Sequence, residues 1–207
     1  MAANFHKVIK RCFKRAEIVI DRFHVQQLAN EALQDIRIKH RWEAIDLENK
    51  ERKDKRKLFS RVLFGNGESR KQILARSKWA LSQSRNKWNN DTRDRIEILF
   101  SLYPDIKEGY EIVDQMRQIM NKKIGKVVAR TKLAQWYEQM ERFNNKAFNT
   151  VGETFRSHYD TILNYFNNRS TNASAESFNA KIKAFRADFR GVRDIKFFLF
   201  RLCKIYA

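Results

Sequence analysis

The residues best suited to chemistry lie in the stretch from Thr171 to Arg190, where one carboxylate precedes a row of polar and basic side chains. On a helix that advances about 100° per residue, five of these side chains would share one face within roughly 80° of arc: Glu176, Asn179, Lys183, Arg186 and Arg190. A carboxylate binds divalent metal ions and cations bind phosphates, so this face suits metal-assisted chemistry on a phosphodiester. The alternative interpretation is a surface helix whose first-turn Glu176 is stabilised by the helix dipole.

The opposite face of the same helix is aromatic and predicts packing against a neighbour. Its apolar positions recur at helical spacing: Phe178, Ile182, Phe185 and Phe189. Gly191 is a plausible C-cap, and the apolar stretch from Ile195 to Ile205 predicts a last helix. We therefore expect a pair of helices at the carboxyl end, with cations on the exposed side of the first.

A second acid, Asp21, follows the β-branched run from Ala16 to Ile20, which predicts a buried strand. The carboxyl end of a strand is where α/β sheets place ligand-binding groups. Asp21 is equally suited to be the N-cap of the amphipathic helix predicted from Arg22 to about Ile45. His24, in the first turn of that helix, suits contact with a phosphate or a metal, or simple capping and packing.

The composition indicates a polyanionic partner. The chain has 207 residues, and 43 Lys and Arg against 24 Asp and Glu give a formal net charge of +19. No apolar run approaches the roughly 20 residues that span a bilayer, and the first residues lack the apolar core of a signal peptide. We expect a soluble intracellular protein. Cys12 and Cys203 are too isolated to suggest a disulfide framework or a zinc site.

A single Pro and six Gly predict a mainly helical protein. Further helices are expected from 70 to 82, from Asp91, from Pro104, beyond Gly125, and from 148 to 166. Residues 48–57 lack apolar positions and form the best internal boundary. Gly65-Asn-Gly67 signals a turn without the spacing of a phosphate loop. The Trp residues at 79, 88 and 136 are expected in the core, base stacking being the alternative.

Two motifs carry a family resemblance: Asp-Arg-Phe-His-Val from Asp21, and Thr-Asn-Ala-Ser-Ala-Glu-Ser-Phe-Asn-Ala-Lys-Ile-Lys from Thr171. Together they resemble bacterial insertion-sequence DDE transposases of the ISL-three group, along essentially the whole chain. The resemblance implies a mainly α chain that forms the C-terminal portion of an α/β ribonuclease-H-like domain with a large helical insertion. It divides the chain into a partial core (1–47), the insertion (48–145) and C-terminal helices that complete the core (146–207).

By this resemblance the function is DNA transposition, in which three carboxylates hold two Mg²⁺ or Mn²⁺ ions for strand cleavage and transfer. Asp21 would be the second acid and Glu176 the third. The DNA of the transposon ends and target would contact a set of polar and basic side chains: Asn179, Lys183, Arg186 and Arg190, with Arg22 and His24 as weaker candidates. The resemblance also implies a cytoplasmic, nucleoid-associated protein.

One departure qualifies these expectations. The family's first catalytic Asp has no counterpart, since no Asp precedes Asp21 in the sequence, and the opening strands and N-terminal zinc-binding and helix-turn-helix segments are missing. We expect a C-terminal fragment that binds DNA, is inactive alone, and self-associates through the unpaired edges of its lone strand. The competing hypotheses are a non-catalytic, basic helical DNA-binding protein whose acids only cap helices, and a basic scaffold for an acidic protein.

Overall fold

The computed structural model describes residues 11–53, 62–170, 173–189, 191 and 193–206, without the side chains of residues 174 and 175. Within these ranges the protein is mainly helical, as predicted, and contains no strand. The chain divides into two compact units, Met1–Asn168 and Arg169–Ala207, which we call the helical unit and the C-terminal unit. The division into a partial core, an insertion and completing helices stays a prediction.

The helical unit is organised around its longest helix, α1 (Arg22–Lys53). Apolar side chains three or four residues apart, among them Ala29, Leu33 and Ile36, form its buried stripe. The helices that follow are α2 (Arg70–Arg76), α3 (Lys78–Leu81), α4 (Asn90–Leu102), α5 (Pro104–Asn121), α6 (Lys126–Phe143), α7 (Lys146–Ser157), α8 (Tyr159–Leu163) and α9 (Tyr165–Asn168). Helix α1 packs against α2, α3, α5 and α7, while α5 also contacts α4 and α6.

Local sequence signals set the helix boundaries. The Asn89 side chain accepts a hydrogen bond from the Thr92 amide at 2.9 Å and caps α4, while Pro104 occupies the first position of α5, as predicted. The predicted turn lies at residues 65–67. Helix α1 continues to Lys53, so the charged stretch 48–57 begins as a helical extension, and the rest of it lies outside the described residues. The apolar spacing of Phe5, Val8, Ile9, Cys12 and Phe13 also predicts a short helix at residues 5–15, and most of it lies outside the described residues.

The expectation for the Trp residues is confirmed at two positions and wrong at the third. Trp136 is buried and donates its indole N–H to the carbonyl of Ile112 at 2.8 Å, and buried Trp88 donates to the carbonyl of Ala80 at 2.9 Å. Trp79 is 71% exposed. It projects away from the buried residues of its own segment, because it lies on the opposite side of the helical turn from Leu74 and Leu81.

The strand predicted at residues 16–20 is wrong, because this segment has neither strand nor helix. Its polar groups are satisfied by the end of the helical unit instead of by a sheet. The Ile20 amide donates to the carbonyl of Thr161 at 3.0 Å, and the side-chain amide of Asn164 donates to the carbonyl of Ile18 at 3.0 Å. A β-branched run without a neighbouring strand has no ladder to join, so helix-end groups supply its partners.

Two predicted helices are interrupted. The helix expected over residues 70–82 is divided at Ser77, whose hydroxyl donates to the carbonyl of Ile73 at 2.6 Å. Such side-chain bonding to the preceding turn competes with regular helix geometry. The helix expected over residues 148–166 is divided at His158 and Asn164 into α7, α8 and α9.

The C-terminal unit contains α10 (Ala173–Asp188) and α11 (Ile195–Tyr206), in agreement with the predicted pair of helices. Gly191 has a φ of +97°, a conformation that residues with a Cβ rarely adopt. Glycine therefore suits this position between α10 and α11, and its role as the C-cap of α10 stays a prediction.

Candidate nucleic-acid interface

The exposed face of α10 carries the predicted cationic row. Glu176, in the first turn, and Asn179, Lys183 and Arg186 along the helix are all exposed. Their spacing of three, four and three residues keeps them on one side of the helix. Arg190 lies outside the described residues. The described part of this face therefore presents one carboxylate, one amide and two cations to solvent.

The opposite face of α10 packs on α11 through aromatic rings. Phe185 is buried, and its ring centroid lies 5.4 Å from that of Phe198 and 6.2 Å from that of Tyr206. The Phe178 ring also contacts Tyr206, with centroids 6.3 Å apart. This packing fixes which side of α10 faces outward, and the sequence periodicity predicted it.

Asp21 acts as the N-cap of α1. Its Oδ1 accepts a hydrogen bond from the Phe23 amide at 2.9 Å, and its carbonyl accepts one from the His24 amide at 3.1 Å. The side chain is nearly buried, with 8% of the residue exposed. The capping interpretation is confirmed, and the ligand interpretation stays a prediction.

The predicted site residues fall into two groups. Asp21, Arg22 and His24 occupy the start of α1 in the helical unit, where Arg22 donates to the side-chain oxygen of Asn121 at 3.1 Å. Glu176 and the cationic row belong to the C-terminal unit. Among the described residues, no three His, Cys, Asp or Glu side chains are close enough together to hold a metal ion. Neither group of predicted site residues by itself supplies three such donors.

A second buried carboxylate of the helical unit, Glu68, has a structural role. Glu68 is 4% exposed and receives two hydrogen bonds from Arg95, at 2.7 and 2.8 Å, and one from Arg76 at 2.7 Å. The hydrogen bonds from Arg95 lower the pKa of Glu68, and burial opposes this shift. Glu68 is thus fully committed to its arginines and is not available as a ligand.

Sequence reasoning missed a polar groove in the helical unit. This groove, of about 770 Å³, lies between α1 and the segment from α3 to residue 87. We call it the amide groove and define it by six of its lining residues: Phe23, Asn30, Trp79, Gln83, Asn86 and Lys87. The exposure of Trp79 could have been predicted from its position on a helical wheel, whereas its proximity to α1 depends on tertiary packing.

Comparison with known protein families identifies the class of this chain. A family model described as a transposase matches residues 1–202. The family is the ISL-three group of DDE transposases, and because the match covers nearly the whole chain, this chain belongs to it, as the two motifs predicted. Searches of curated proteins and of solved structures gave no match. Membership implies a role in transposition, with DNA as the partner and divalent metal use general in the family. No helix in the described part of the chain is long and apolar enough to cross a membrane.

Proposed function

We propose that this chain binds the DNA backbone through the exposed face of α10 as part of a transposition reaction. The observation that carries the proposal is the alignment of exposed Asn179, Lys183 and Arg186 on one side of a helix whose other side is packed. Cations held in one register can neutralise successive phosphates and release their counterions. The formal net charge of +19 favours the same partner.

Within this function we propose Asp21 and Glu176 as ligands of Mg²⁺ or Mn²⁺. Support comes from the family's general use of divalent metals, from the position of Glu176 in the first turn of α10, and from that of Asp21 at the start of α1. Such ions would supply charge stabilisation for phosphoryl transfer. Since two carboxylates fall short of the three that the family resemblance implies, we expect this chain alone to bind DNA without cleaving it.

The DNA-binding proposal is tested by replacing the cations of α10 and measuring affinity for duplex DNA across salt concentrations. Lys183→Gln and Arg186→Gln should each weaken binding for all sequences and reduce the dependence of log K on log salt by about one. Lys107→Gln on α5, also exposed, is the matched control and should leave the slope unchanged. Equal slopes for all variants would place DNA binding elsewhere.

A second candidate is a non-catalytic helical DNA-binding protein, which the capping role of Asp21 specifically favours. Asp21→Asn keeps a good N-cap while removing the charge, and Glu176→Gln removes the exposed carboxylate with little change in shape. If DNA affinity and its response to Mg²⁺ are the same in both variants as in the parent chain, the metal-ligand proposal is wrong and this second function stands. Loss of an Mg²⁺ response in either variant supports the ligand role.

A further inference from the structure

We propose that the amide groove binds an unpaired base of a DNA strand, with Trp79 as the stacking surface. This inference rests on DNA being the partner, but it concerns the helical unit and is independent of α10. Duplex bases have both faces covered by their neighbours, so an aromatic side chain at the protein surface can stack only on a base that has left the helix or was never paired.

The aromatic rings of the groove are available for stacking. Trp79 is 71% exposed and Phe23 is 60% exposed, although both line the same groove. Unlike Trp88 and Trp136, whose indole N–H groups donate to backbone carbonyls, Trp79 has no hydrogen-bond partner among the described residues. The Lys78 ammonium lies over the Trp79 ring, 5.1 Å from its centre, so a cation already faces one side of the indole and a base would stack on the other.

The groove also has groups that match a base edge. The side chains of Gln83 and Asn86 are exposed and make no hydrogen bond with another described residue. Each amide offers a donor and an acceptor together, the pairing that the edge of a base presents. Both amides follow Trp79 in the chain and line the same groove, so a base stacked on the indole would have polar partners nearby.

The positive charge of the groove favours a ligand that carries a phosphate, such as a nucleotide. Lys87 is exposed and unpaired among the described residues, while Arg22 follows Asp21 at the start of α1 and reaches Asn121, another lining residue. The acid that lines the groove, Glu31, already accepts a hydrogen bond from Gln27 at 2.8 Å. Since the lining residues Lys87 and Arg117 outnumber this one acid, a phosphate attached to the stacked base would meet a net positive charge.

Indole fluorescence provides the test in the full chain. The chain has four Trp residues, of which Trp88 and Trp136 are buried, so Trp42→Phe leaves Trp79 as the exposed one. A short oligothymidylate should quench the emission of this variant by stacking, whereas an abasic strand of equal length and charge should not. Equal quenching by the two strands would overturn the proposal.

Binding of a labelled single strand, followed by anisotropy, gives the second readout. Trp79→Ala should weaken the binding of oligothymidylate by roughly five- to 100-fold, the effect of losing one base–aromatic stack. Trp79→Phe should retain most of the affinity, and Trp42→Ala, which removes another largely exposed indole outside the groove, should retain all of it. No loss with Trp79→Ala, or tighter binding of a ribonucleotide or acidic peptide than of the DNA strand, would overturn the assignment.

The two proposals fail differently. Duplex affinity that depends on Lys183 and Arg186 tests α10, whereas single-strand affinity that depends on Trp79 tests the groove. If the duplex result holds and Trp79 has no effect, the groove proposal alone is wrong. If neither form of DNA binds, the proposed function itself is wrong.

Discussion

At the scale of single residues, Asp21 has an observed structural role as the N-cap of α1 and a predicted chemical role as a metal ligand. Its Oδ1 accepts a hydrogen bond from the Phe23 amide, so the observed capping role and the predicted ligand role fall on the same side chain. Sequence spacing predicted both roles equally. Only the geometry of the first turn of α1 could establish that Asp21 is a cap, because capping requires a specific backbone conformation that composition does not reveal.

We expect Asp21→Ala to lower the free energy of unfolding by about 1 kcal/mol, the usual cost of losing an N-cap, and Asp21→Asn to be nearly neutral. Urea denaturation followed by circular dichroism measures both. Ser and Asn are interchangeable with Asp as caps, so equal destabilisation by Asn and Ala would mean that the negative charge itself stabilises the start of α1.

A second prediction at this scale concerns Glu68. Removing its charge by Glu68→Gln should destabilise the protein by about 2 kcal/mol, less than the 3–5 kcal/mol of a fully buried pair because Arg76 is largely exposed. Glu138→Gln breaks an exposed pair with Arg142 and should cost less than about 0.5 kcal/mol. Chemical denaturation at neutral pH compares the two variants.

The same side chain sets a pH dependence. Because the folded protein lowers the pKa of Glu68 below its ordinary 4.5, its stabilising contribution is complete above that value and is lost as the pH falls through the lowered pKa. Glu68→Gln should therefore reduce the loss of stability on acidification below about pH 4.5. A parent and variant that lose stability in parallel over this range would exclude Glu68 as the cause.

At the scale of elements, α10 depends on α11 for its orientation. Phe185→Ala removes the ring that contacts Phe198 and Tyr206, and we expect a cost of roughly 3–5 kcal/mol in the C-terminal unit. The cations of α10 would remain but lose their common register, so duplex affinity should fall as well. Phe197→Ala, on the exposed side of α11, is the control for both the unfolding and the DNA-binding measurement.

Helix packing in the helical unit requires close approach at Gly109. A Cβ there would lie 3.2 Å from the Leu33 side chain and 3.4 Å from the Phe148 ring, both fully buried. Overpacking of 1–3 kcal/mol should exceed the gain of 0.5–1 kcal/mol from helix propensity, so Gly109→Ala is expected to destabilise by about 1 kcal/mol. Thermal unfolding measures the change, and Gly65→Ala, in open space, should have a smaller effect.

Elements were predictable where the sequence periodicity was long and uniform. Helices α1, α5, α10 and α11 match their predicted positions, because repeated apolar spacing and marked ends such as Pro104 leave little choice. The strand at 16–20 failed because β-branched residues indicate only a preference, and the partners that satisfy its backbone lie about 140 residues away in the chain. The amide groove was not predictable for the same reason, since its walls are distant in sequence.

At the scale of the whole molecule, the excess of positive charge should dominate DNA affinity. With a formal net charge of +19, contact with six to ten phosphates is expected to make duplex binding fall about 10³- to 10⁵-fold between 50 and 200 mM salt. Titrations at several salt concentrations measure this slope. An affinity that hardly changes with salt would contradict a backbone-dominated interface and would point to a protein partner for the basic surface.

The closing of α1 on α7 has a consequence for biosynthesis. Leu33 of α1 and Phe148 of α7 both lie next to Gly109 of α5. The ribosome nevertheless synthesises Phe148 more than a hundred residues after Leu33. At a synthesis rate of about 5–20 residues per second, the apolar stripe of α1 stays exposed on the order of ten seconds before α7 is available to cover it. The apolar stripe of nascent α1 is thus exposed to chaperones before the folded protein exists.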